Sequence, residues 1–347
     1  MTGFNYLRHH FMKSITALYP LLSTPQNVVI TMHQKPDPDA MGSSLALAGL
    51  LQQLGHEVTV ISPTNWPGFL NWMEGCKMVI DYEYRKDLAE AALQKASWLF
   101  CLDFNTLPRT KHMAATLQQL NCVKILIDHH QQPEETAFTY GISNPAKSST
   151  CEMVYDFITE TGNGHLITLG MAESLYAGLI GDTGSFRFPA ATAAVHKMAA
   201  HLKEVAGFNH TQVHDHIYDN FLENRLRFIG HVLTNRMEVL YEYNTAIIAV
   251  TKADLLRYDI KTGDTEGLVN YPLTIQGIKM AAIVIDRDEE RKWSFRSKGN
   301  VDVNTFARKY FNGGGHFNAS GGRSLETLQK NVELFKQVLK ENQTLFQ

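Results

Sequence analysis

The stretch HQKPDPDAMGSS, residues 33–44, places His33, Asp37 and Asp39 within seven positions. Lys35 and Asp37 each precede a proline, which disfavours helical backbone at both residues. We therefore expect an extended segment in which Asp37 and Asp39 point the same way, about 6–7 Å apart at their Cα atoms. Two acids held so close repel each other unless a cation lies beside them.

Further acids and imidazoles follow other apolar runs of the chain. Asp103 follows SWLFCL, the triplet Asp128–His130 follows CVKILI, and Asp182 follows SLYAGLIG. We expect these runs to be strands of one parallel sheet, and sites in such sheets form outside the carboxyl ends of the strands. The sequence therefore predicts that segments far apart in the chain deliver acids and histidines to one edge.

The predicted site holds more anionic ligands than a single divalent ion uses. Its candidate ligands are four aspartates and two histidines, namely Asp37, Asp39, Asp103, Asp182, His33 and His129. Two ions about 3.5–4 Å apart, bridged by one carboxylate, would use them all. The mixture of carboxylate and imidazole suits Mn²⁺, with Mg²⁺, Fe²⁺ or Co²⁺ as alternatives, and is too rich in oxygen for structural zinc.

Each of these acids also has an ordinary structural explanation. An aspartate after a strand commonly begins a turn or caps a helix, so Asp39 could cap a helix that starts near Ala40, and Asp103 could begin a turn. Four such acids, two of them accompanied by histidine, are harder to assign to capping. We therefore favour metal binding over the structural explanation.

The elements that must position these residues alternate along the first half of the chain. Runs such as NVVITM (27–32) are continuously apolar, as in a parallel sheet covered on both faces, whereas ALAGLLQQLG (46–55) has helical spacing. This alternation predicts a doubly wound α/β domain, followed by a smaller α/β domain with a cleft between the two. The expected first domain, helical connector and second domain lie at residues 1–215, 216–240 and 241–347.

Composition limits the classes of function. The net charge is −3 and no basic tail is present, whereas proteins that grip long nucleic acid usually show a basic footprint. Because the chain has no stretch of about 18 uncharged apolar residues, we expect no membrane-spanning helix. The first 22 residues lack the uninterrupted apolar core of a secretory signal, so we expect no such signal. The four cysteines form no CxxC pair, so we expect reduced thiols and a cytoplasmic location.

Taken together, these motifs resemble those of the DHH phosphoesterases. Four segments resemble the four motifs of that family and occur in the same order. They are HQKPDPDAMGS, the aspartate of LDFNT, the triplet DHH and the aspartate of GLIGDTG. NGGGHFNASGG, residues 312–322, resembles the glycine-rich motif of the DHH-associated domain. The short two-domain form is most similar to the nanoRNase/pAp-phosphatase branch. Phe317 and Asn318 follow the GGGH motif where many relatives carry other residues.

The resemblance implies a role for each matching residue. It implies that His33, Asp37 and Asp103 hold one ion, and that Asp39, Asp103, His129 and Asp182 hold the other, with Asp103 between the two. It further implies that His130 faces the substrate phosphate and that Asp128 orients the histidine pair. The catalytic set implied in this way is Asp103, Asp128 and His130.

The second domain is expected to hold the rest of the substrate. Successive glycines allow backbone amides to approach an anion closely, although a flexible loop is the alternative. A guanidinium suits a terminal phosphate, and Arg187 could equally form an interdomain salt bridge. The candidate substrate-binding residues are Arg187, Arg296, Ser297, Gly313, Gly314, Gly315 and His316. Ser148 and Ser149 are better explained as caps of a helix that starts near Thr150.

The expected function is hydrolysis of short oligoribonucleotides to nucleoside 5′-monophosphates with two divalent cations, for which we expect Mn²⁺, with Mg²⁺ or Co²⁺ as alternatives. Removal of the 3′-phosphate of pAp is a second expected activity. Long duplex nucleic acid and membranes are not expected partners, and a homodimer is one of the oligomeric states left open. The alternatives are a phosphodiesterase of linear or cyclic dinucleotides, an exopolyphosphatase or pyrophosphatase, and a non-catalytic nucleotide sensor.

Overall fold

The computed structural model describes residues 12–261, 263–287 and 290–343. The chain divides into two compact units, Met1–Asn220 and Phe221–Gln347. Among these residues each unit contains its own β-sheet, with seven strands in the first and six in the second. The predicted α/β fold class is therefore confirmed. Among the described residues, no helix is both long and apolar enough to cross a membrane.

The first unit alternates strands with helices, as expected for a parallel sheet. All neighbouring strands in its sheet pair in parallel, in the order β1-β7-β6-β5-β2-β3-β4. Its strands are β1 Lys13–Ser14, β2 Asn27–Thr31, β3 Glu57–Ser62, β4 Ile80–Asp81, β5 Trp98–Leu102, β6 Val123–Asp128 and β7 Tyr140–Ser143. Its helices are α1 Pro38–Gln53, α2 Lys86–Lys95, α3 Ala114–Gln119, α4 Thr150–Glu160, α5 Leu169–Asp182, α6 Ala193–Ala206 and α7 His210–Tyr218.

Both faces of this sheet are buried, which explains why its strands are continuously apolar. Val28 and Ile30 of β2 belong to a core shared with α1, α4 and α5, whereas Val29, between them, belongs to a second core with α2 and α3. Consecutive side chains of a strand point to opposite faces, so one short strand contributes to both cores. The sheet is thus held rigidly between two helical layers.

The second unit contains a mixed sheet in the order β12-β13-β11-β10-β9-β8, in which only β9 and β10 pair in parallel among the described strands. Its strands are β8 Met237–Leu240, β9 Thr245–Val250, β10 Met280–Arg287, β11 Glu290–Ser297, β12 Gly314–His316 and β13 Ala319–Ser324. Its helices are α8 Glu223–Asn235, α9 Lys252–Arg257, α10 Val303–Tyr310 and α11 Leu328–Glu341.

The segment expected as a helical connector is divided between the two units. The end of α7 belongs to the first unit, which extends to Asn220. Phe228, Ile229 and Val232 of α8 pack in one core with residues of β9 and β10. Residues 221–240 are therefore part of the second unit, because α8 has an apolar face that this sheet covers.

Helix α1 packs closely against α5, and glycines make this approach possible. A Cβ atom at Gly178 of α5 would lie 2.3 Å from Cys151 Sγ and 2.8 Å from Asp39 Oδ1. A Cβ atom at Gly42 of α1 would lie 2.3 Å from the carbonyl oxygen of Ser174. These contacts are shorter than any non-bonded pair of atoms tolerates, so the two helices would have to separate.

The Gly178→Ala variant tests this packing. We expect it to lower the free energy of unfolding by about 1–3 kcal/mol, because the added methyl group overpacks the contact between α1 and α5. Urea denaturation of the full chain measures the change. The control is Gly230→Ala on α8, where a Cβ atom would have nothing within 4 Å. The control is expected to be neutral or stabilising by up to about 1 kcal/mol, and equal effects of both variants would contradict the packing argument.

Candidate metal centre

The loop from β2 to α1 delivers three of the candidate ligands, but not in the geometry expected from the sequence. Helix α1 begins at Pro38, and Asp37 is its N-cap, with its Oδ1 accepting hydrogen bonds from the backbone N–H groups of Asp39 and Ala40 at 3.0 Å each. Lys35 has a positive φ of 50°. The predicted extended fork is therefore wrong, since Asp39 lies in the first turn of a helix that Asp37 caps.

Asp182 also reaches the site by an unexpected route. The apolar run before it is not a strand but helix α5, and Asp182 is the last residue of that helix. The other acids follow strands as predicted: Asp103 comes directly after β5, and Asp128 ends β6. The carboxyl ends of two parallel strands and the ends of two helices thus meet at the same edge of the sheet.

One group of ligand atoms contains His33, Asp37 and Asp103, which lie within 4.8 Å of one another. His33 Nε2 is 3.3 Å from Asp103 Oδ2 and 3.7 Å from Asp37 Oδ2. His33 Nδ1 lies 2.8 Å from the carbonyl oxygen of Gln34, to which it donates. Because Nδ1 carries that proton, Nε2 is the ring atom directed at the acids, as in many metal-binding histidines.

A second group contains Asp39, Asp103 and His129. His129 Nε2 is 3.4 Å from Asp103 Oδ1, 3.3 Å from Asp182 Oδ2 and 3.8 Å from Asp39 Oδ2. Asp103 therefore faces His33 with one carboxylate oxygen and His129 with the other. The two groups share this carboxylate, which is the arrangement that two neighbouring divalent ions require.

The backbone at Asp103 explains how it can face both groups. Its φ is 62°, in the left-handed region that aspartate tolerates better than most residues. Its backbone N–H donates to the carbonyl oxygen of Ile127 at 3.1 Å. The residue is 2% exposed, so the turn holds the carboxylate inside the site rather than at the surface.

Electrostatics favour a cation at this site. Burial, followed by the charge of Asp103, raises the pKa of Asp39 to about 7. Burial and the charge of Asp39 raise the pKa of Asp182 well above its usual value. Burial by itself lowers the pKa of His33, but hydrogen bonding with Asp103 and Asp37 outweighs it and raises that pKa to about 10. Positive charge beside these acids would therefore be stabilised, and a divalent ion would compete with protons for the same ligand atoms.

The site is enclosed on one side and open on the other. Asp39 and Asp103 have side-chain exposures of 0% and 3%, whereas those of Asp182 and Asp37 are 26% and 43%. The carboxylates and imidazoles present fit Mn²⁺, Mg²⁺ or Co²⁺ and lack the thiolates of a structural zinc site. The structure thus brings all six candidate ligands together, and their binding of metal stays a prediction.

The N-terminus of helix α4 supports two of the ligands. The backbone N–H groups of Thr150 and Cys151 donate to the two oxygens of Asp39 at 2.7 and 2.8 Å. The Thr150 hydroxyl donates to Asp103 Oδ1 at 3.1 Å. The positive end of a helix stabilises a carboxylate placed in this way. Ser149 caps the helix through the N–H of Glu152, so the capping role predicted for it is confirmed.

Thr150 was not identified from the sequence as part of the site. The available signal was the capping serine before it, since the residue after an N-cap exposes a backbone N–H that an anion can use. The partner of that N–H, Asp39, lies 111 positions earlier in the chain. Only the tertiary structure shows which acid the helix end contacts.

His129 and His130 are oriented by different groups. Asp128 Oδ1 accepts from His130 Nδ1 at 2.7 Å, and Asp128 Oδ2 accepts from the backbone N–H of His130 at 3.1 Å. The ring Nδ1 of His129 lies 3.4 Å from the carbonyl oxygen of Lys147. Burial, followed by the charge of Arg109, lowers the pKa of His130 well below its usual value. Neutral His130 then carries its ring proton on Nδ1.

The candidate substrate residues of the second unit lie close together in its sheet. Arg296 is paired with Ala319, and the backbone N–H of Ser297 donates to the carbonyl oxygen of Asn318 at 3.0 Å. The Ser297 hydroxyl donates to the carbonyl oxygen of Val301 at 2.6 Å and accepts from Asn318 Nδ2 at 2.9 Å. Ser297 therefore has a structural role in this turn.

Gly314 and Gly315 form strand β12 together with His316, so the flexible-loop alternative is wrong. Strand β12 pairs with β13, and a Cβ atom at Gly313 would lie 1.9 Å from the carbonyl oxygen of Gly321. Gly315 has a φ of 149° and leaves no room for a Cβ atom beside Ala319. Close pairing of the hairpin is thus sufficient to require glycine at both positions.

Arg187 lies in the first unit and is exposed. Its Nε donates to the carbonyl oxygen of Gly184 at 2.6 Å, so the side chain folds back on its own loop. Ser185 and Phe186, between these two residues, both have positive φ angles. The loop after Asp182 therefore has a tight left-handed turn, and a substrate contact by Arg187 stays a prediction.

Comparison with known families assigns both units. Residues 27–179 match the N-terminal domain of the DHH family, and residues 243–342 match the DHHA1 domain. The chain belongs to the DHH family. Five of the six candidate ligands lie within the first match, and Asp182 follows three residues after its end.

Relatives of this DHH-family chain extend over both units. A Bacillus subtilis protein named bifunctional oligoribonuclease and PAP phosphatase NrnA is 28% identical over 310 residues, covering 88% of this chain and 92% of that protein. The crystal structure of an exopolyphosphatase-related protein from Bacteroides fragilis superposes with a TM-score of 0.90 at 34% identity, covering 100% and 99% of the two chains. A probable manganese-dependent inorganic pyrophosphatase of Streptococcus mutans is 28% identical over 184 residues, 52% of this chain and 56% of its own length.

The Thr150→Val variant tests the support that α4 gives to the site. Valine keeps the shape of the side chain and the backbone contact with Asp39 but removes the hydroxyl that donates to Asp103. We expect Mn²⁺ affinity, measured by calorimetric titration, to fall by about 10- to 100-fold, as is typical when a group that orients a metal ligand is lost. The control, Thr150→Ser, keeps the hydroxyl and is expected to bind Mn²⁺ nearly as the wild type does. Unchanged affinity in the folded valine variant would contradict this role.

Proposed function

We propose that this protein is a divalent-metal-dependent phosphohydrolase that cleaves short oligoribonucleotides to nucleoside 5′-monophosphates and removes the 3′-phosphate of pAp. The observation that carries the proposal is the pair of ligand groups joined by Asp103. Its support comes also from the NrnA relative, which matches this chain over both units rather than over the metal-binding unit alone. The substrates named for that relative contain phosphate esters of ribonucleotides.

In the proposed mechanism, His33, Asp37 and Asp103 would hold one divalent ion, and Asp39, Asp103, His129 and Asp182 would hold the second. When bound, two such ions supply positive charge for the phosphoryl oxygens and for activation of water near neutral pH. The protein groups fix the position of that charge, because Asp39 and Asp103 are held by the end of α4 before any substrate arrives. Such preorganisation is the main protein contribution to phosphoryl transfer.

His130 has a more restricted part in this mechanism than the sequence suggests. Its Nδ1–H is directed at Asp128, so neutral His130 offers a lone pair at Nε2. A lone pair accepts hydrogen bonds and cannot donate one to an unprotonated phosphate oxygen. We therefore assign His130 to holding an O–H group, either of the attacking water or of the ribose, and Asp128 to keeping the ring in this tautomer.

The second unit is proposed to bind the part of the substrate that does not react. Strand β12 lies at the edge of its sheet, and an edge strand presents backbone groups on its outer side. Arg296 lies in β11, which is separated from β12 by β13, and it supplies the guanidinium that suits a phosphate group. A net charge of −3 for the whole chain supports a short substrate rather than a long nucleic acid.

The rival functions are less well supported. The pyrophosphatase relative matches 52% of this chain, whereas the NrnA relative matches 88% of it. A non-catalytic sensor would have no use for a complete set of six ligands. Hydrolysis of linear or cyclic dinucleotides uses the same chemistry, and comparison of the cleavage rates of pApA, cyclic di-AMP and dinucleotide RNA distinguishes it from the proposed function. A cytoplasmic location and a homodimeric state stay predictions.

The test is a panel of substrates with the full-length protein and Mn²⁺, comprising RNA of two to 24 nucleotides, pAp, pApA, cyclic di-AMP and pyrophosphate. We expect dinucleotide RNA to be cleaved fastest and 24-nucleotide RNA to be cleaved slowly. Chelation of the metal should abolish activity. Consumption of pyrophosphate alone would refute the nucleotide assignment.

The Asp103→Asn variant tests the shared carboxylate with the same assay. Asparagine keeps the size of the side chain but removes the charge that both ligand groups use, so we expect kcat/KM for dinucleotide RNA to fall by at least about 100-fold. The matched control is Asp87→Asn on α2, where the aspartate side chain is 78% exposed. The control should be as active as the wild type, and an active Asp103→Asn variant would exclude the proposed site.

A further inference from the structure

The segment that follows Asp103 joins two loops of the metal centre. The backbone N–H of Gln34, next to His33, donates to the carbonyl oxygen of Arg109 at 2.9 Å. Asn105 Nδ2 donates to the carbonyl oxygen of Gln131, next to His130, at 2.7 Å. Residues 104–110 are thus held between the loop that carries His33 and the loop that carries His130.

Arg109 is the cationic residue of this segment, and it is partly buried. Within the described ranges, its guanidinium has no carboxylate within 4.0 Å and no hydrogen-bond partner. Its charge adds to the burial that lowers the pKa of His130, and it partly offsets the burial that raises the pKa of Asp128 to about 6. The backbone contact with Gln34 places Arg109 beside the loop that carries His33, and its guanidinium is not paired with any acid of the described metal centre.

Other cations near this region behave differently. Lys111 Nζ lies 2.9 Å from Glu83 Oε1, and Lys147 Nζ lies 2.9 Å from Glu152 Oε1. A partly buried guanidinium usually has anionic partners, because part of its hydration is lost. Arg109 lies beside a cluster of aspartates, but its guanidinium forms no ion pair with any aspartate in the described part of the chain. Its arrangement suits an anion that comes from outside the protein.

We propose that Arg109 binds the phosphate group that is attacked at the metal centre. This inference rests on the proposed function and identifies a second source of positive charge for the reacting phosphate. A guanidinium presents parallel N–H groups that match two phosphate oxygens, and it stays charged at every relevant pH. The residue would therefore contact the substrate directly and would increase both binding and transition-state stabilisation.

A purely structural role for Arg109 is the alternative. The structural contact that the loop makes with Gln34 uses the Arg109 carbonyl oxygen, which any residue provides. The side chain can therefore be changed while the backbone contact remains. This separation makes substitution at Arg109 an informative test rather than a test of folding.

The experiment compares Arg109→Gln and Arg109→Lys with the wild type, using pAp and dinucleotide RNA as substrates with Mn²⁺. We expect Arg109→Gln to lower kcat/KM by about 100-fold, the loss typical of removing one donor to a developing negative charge. Lysine keeps the positive charge but lacks the parallel N–H groups of a guanidinium, so Arg109→Lys should have a kcat/KM between those of Arg109→Gln and the wild type. The matched control is Arg85→Gln, whose arginine side chain is 50% exposed on the same unit. The control should show wild-type kinetics.

Two binding measurements complete the test. Mn²⁺ affinity should be the same in Arg109→Gln and the wild type. A lower Mn²⁺ affinity in the variant would indicate that the substitution disturbs the metal site. Binding of inorganic phosphate to the Mn²⁺-loaded protein should be at least about tenfold weaker in Arg109→Gln, in line with the loss of one charged hydrogen-bonding group.

The outcomes distinguish this inference from the proposed function. If the wild type hydrolyses neither nucleotide but Arg109→Gln weakens phosphate binding, the proposed function fails and the phosphate site stands. If the wild type is active and both kinetics and phosphate binding are unchanged in Arg109→Gln, the inference is overturned and the proposed function stands. If Arg109→Gln loses both Mn²⁺ affinity and activity, Arg109 has a structural role and the inference is overturned. If the wild type neither binds phosphate nor hydrolyses nucleotides, both proposals are overturned.

Discussion

The shared carboxylate of Asp103 is the interaction on which this site depends. It faces His33 at 3.3 Å with one oxygen and His129 at 3.4 Å with the other, while Asp37, Asp39 and Asp182 surround it. So many carboxylates cannot all ionise in a buried space unless positive charge compensates them. Burial and the repulsion between these carboxylates raise the pKa values of Asp39 and Asp182. We propose that a pair of divalent ions compensates all of these groups together.

The fold meets this constraint with rigid elements rather than with flexible loops. The N-terminus of α4 donates two backbone N–H groups to Asp39 and the Thr150 hydroxyl to Asp103. Gly178 allows α5 to approach α1 closely, which places Asp182 at the same edge of the sheet as Asp39. Stability and function are therefore linked here, because the contacts that hold these helices together also hold the acids in place.

The sequence was sufficient to predict the parallel sheet, since apolar runs of strand length report burial on both faces. It was also sufficient to select six candidate ligands that the structure brings together, because their types at the ends of these runs are unusual. It failed at Asp37–Asp39, where Pro38 begins a helix, as proline often does at a first helical position. It failed for the run before Asp182, because an apolar stretch buried on all sides has no period that separates helix from strand. Thr150 and Arg109 depend on contacts between distant segments, which no local pattern encodes.

The central claim is that two cations share Asp103, and crystallography at the manganese absorption edge tests it most directly. Crystals of the full chain soaked in Mn²⁺ should give two anomalous peaks about 3.5–4 Å apart, one on each side of the Asp103 carboxylate. One peak should be bounded by His33 and Asp37, and the other by Asp39, His129 and Asp182. A single peak that leaves Asp103 outside its coordination, or no peak at this edge of the sheet, would contradict the account.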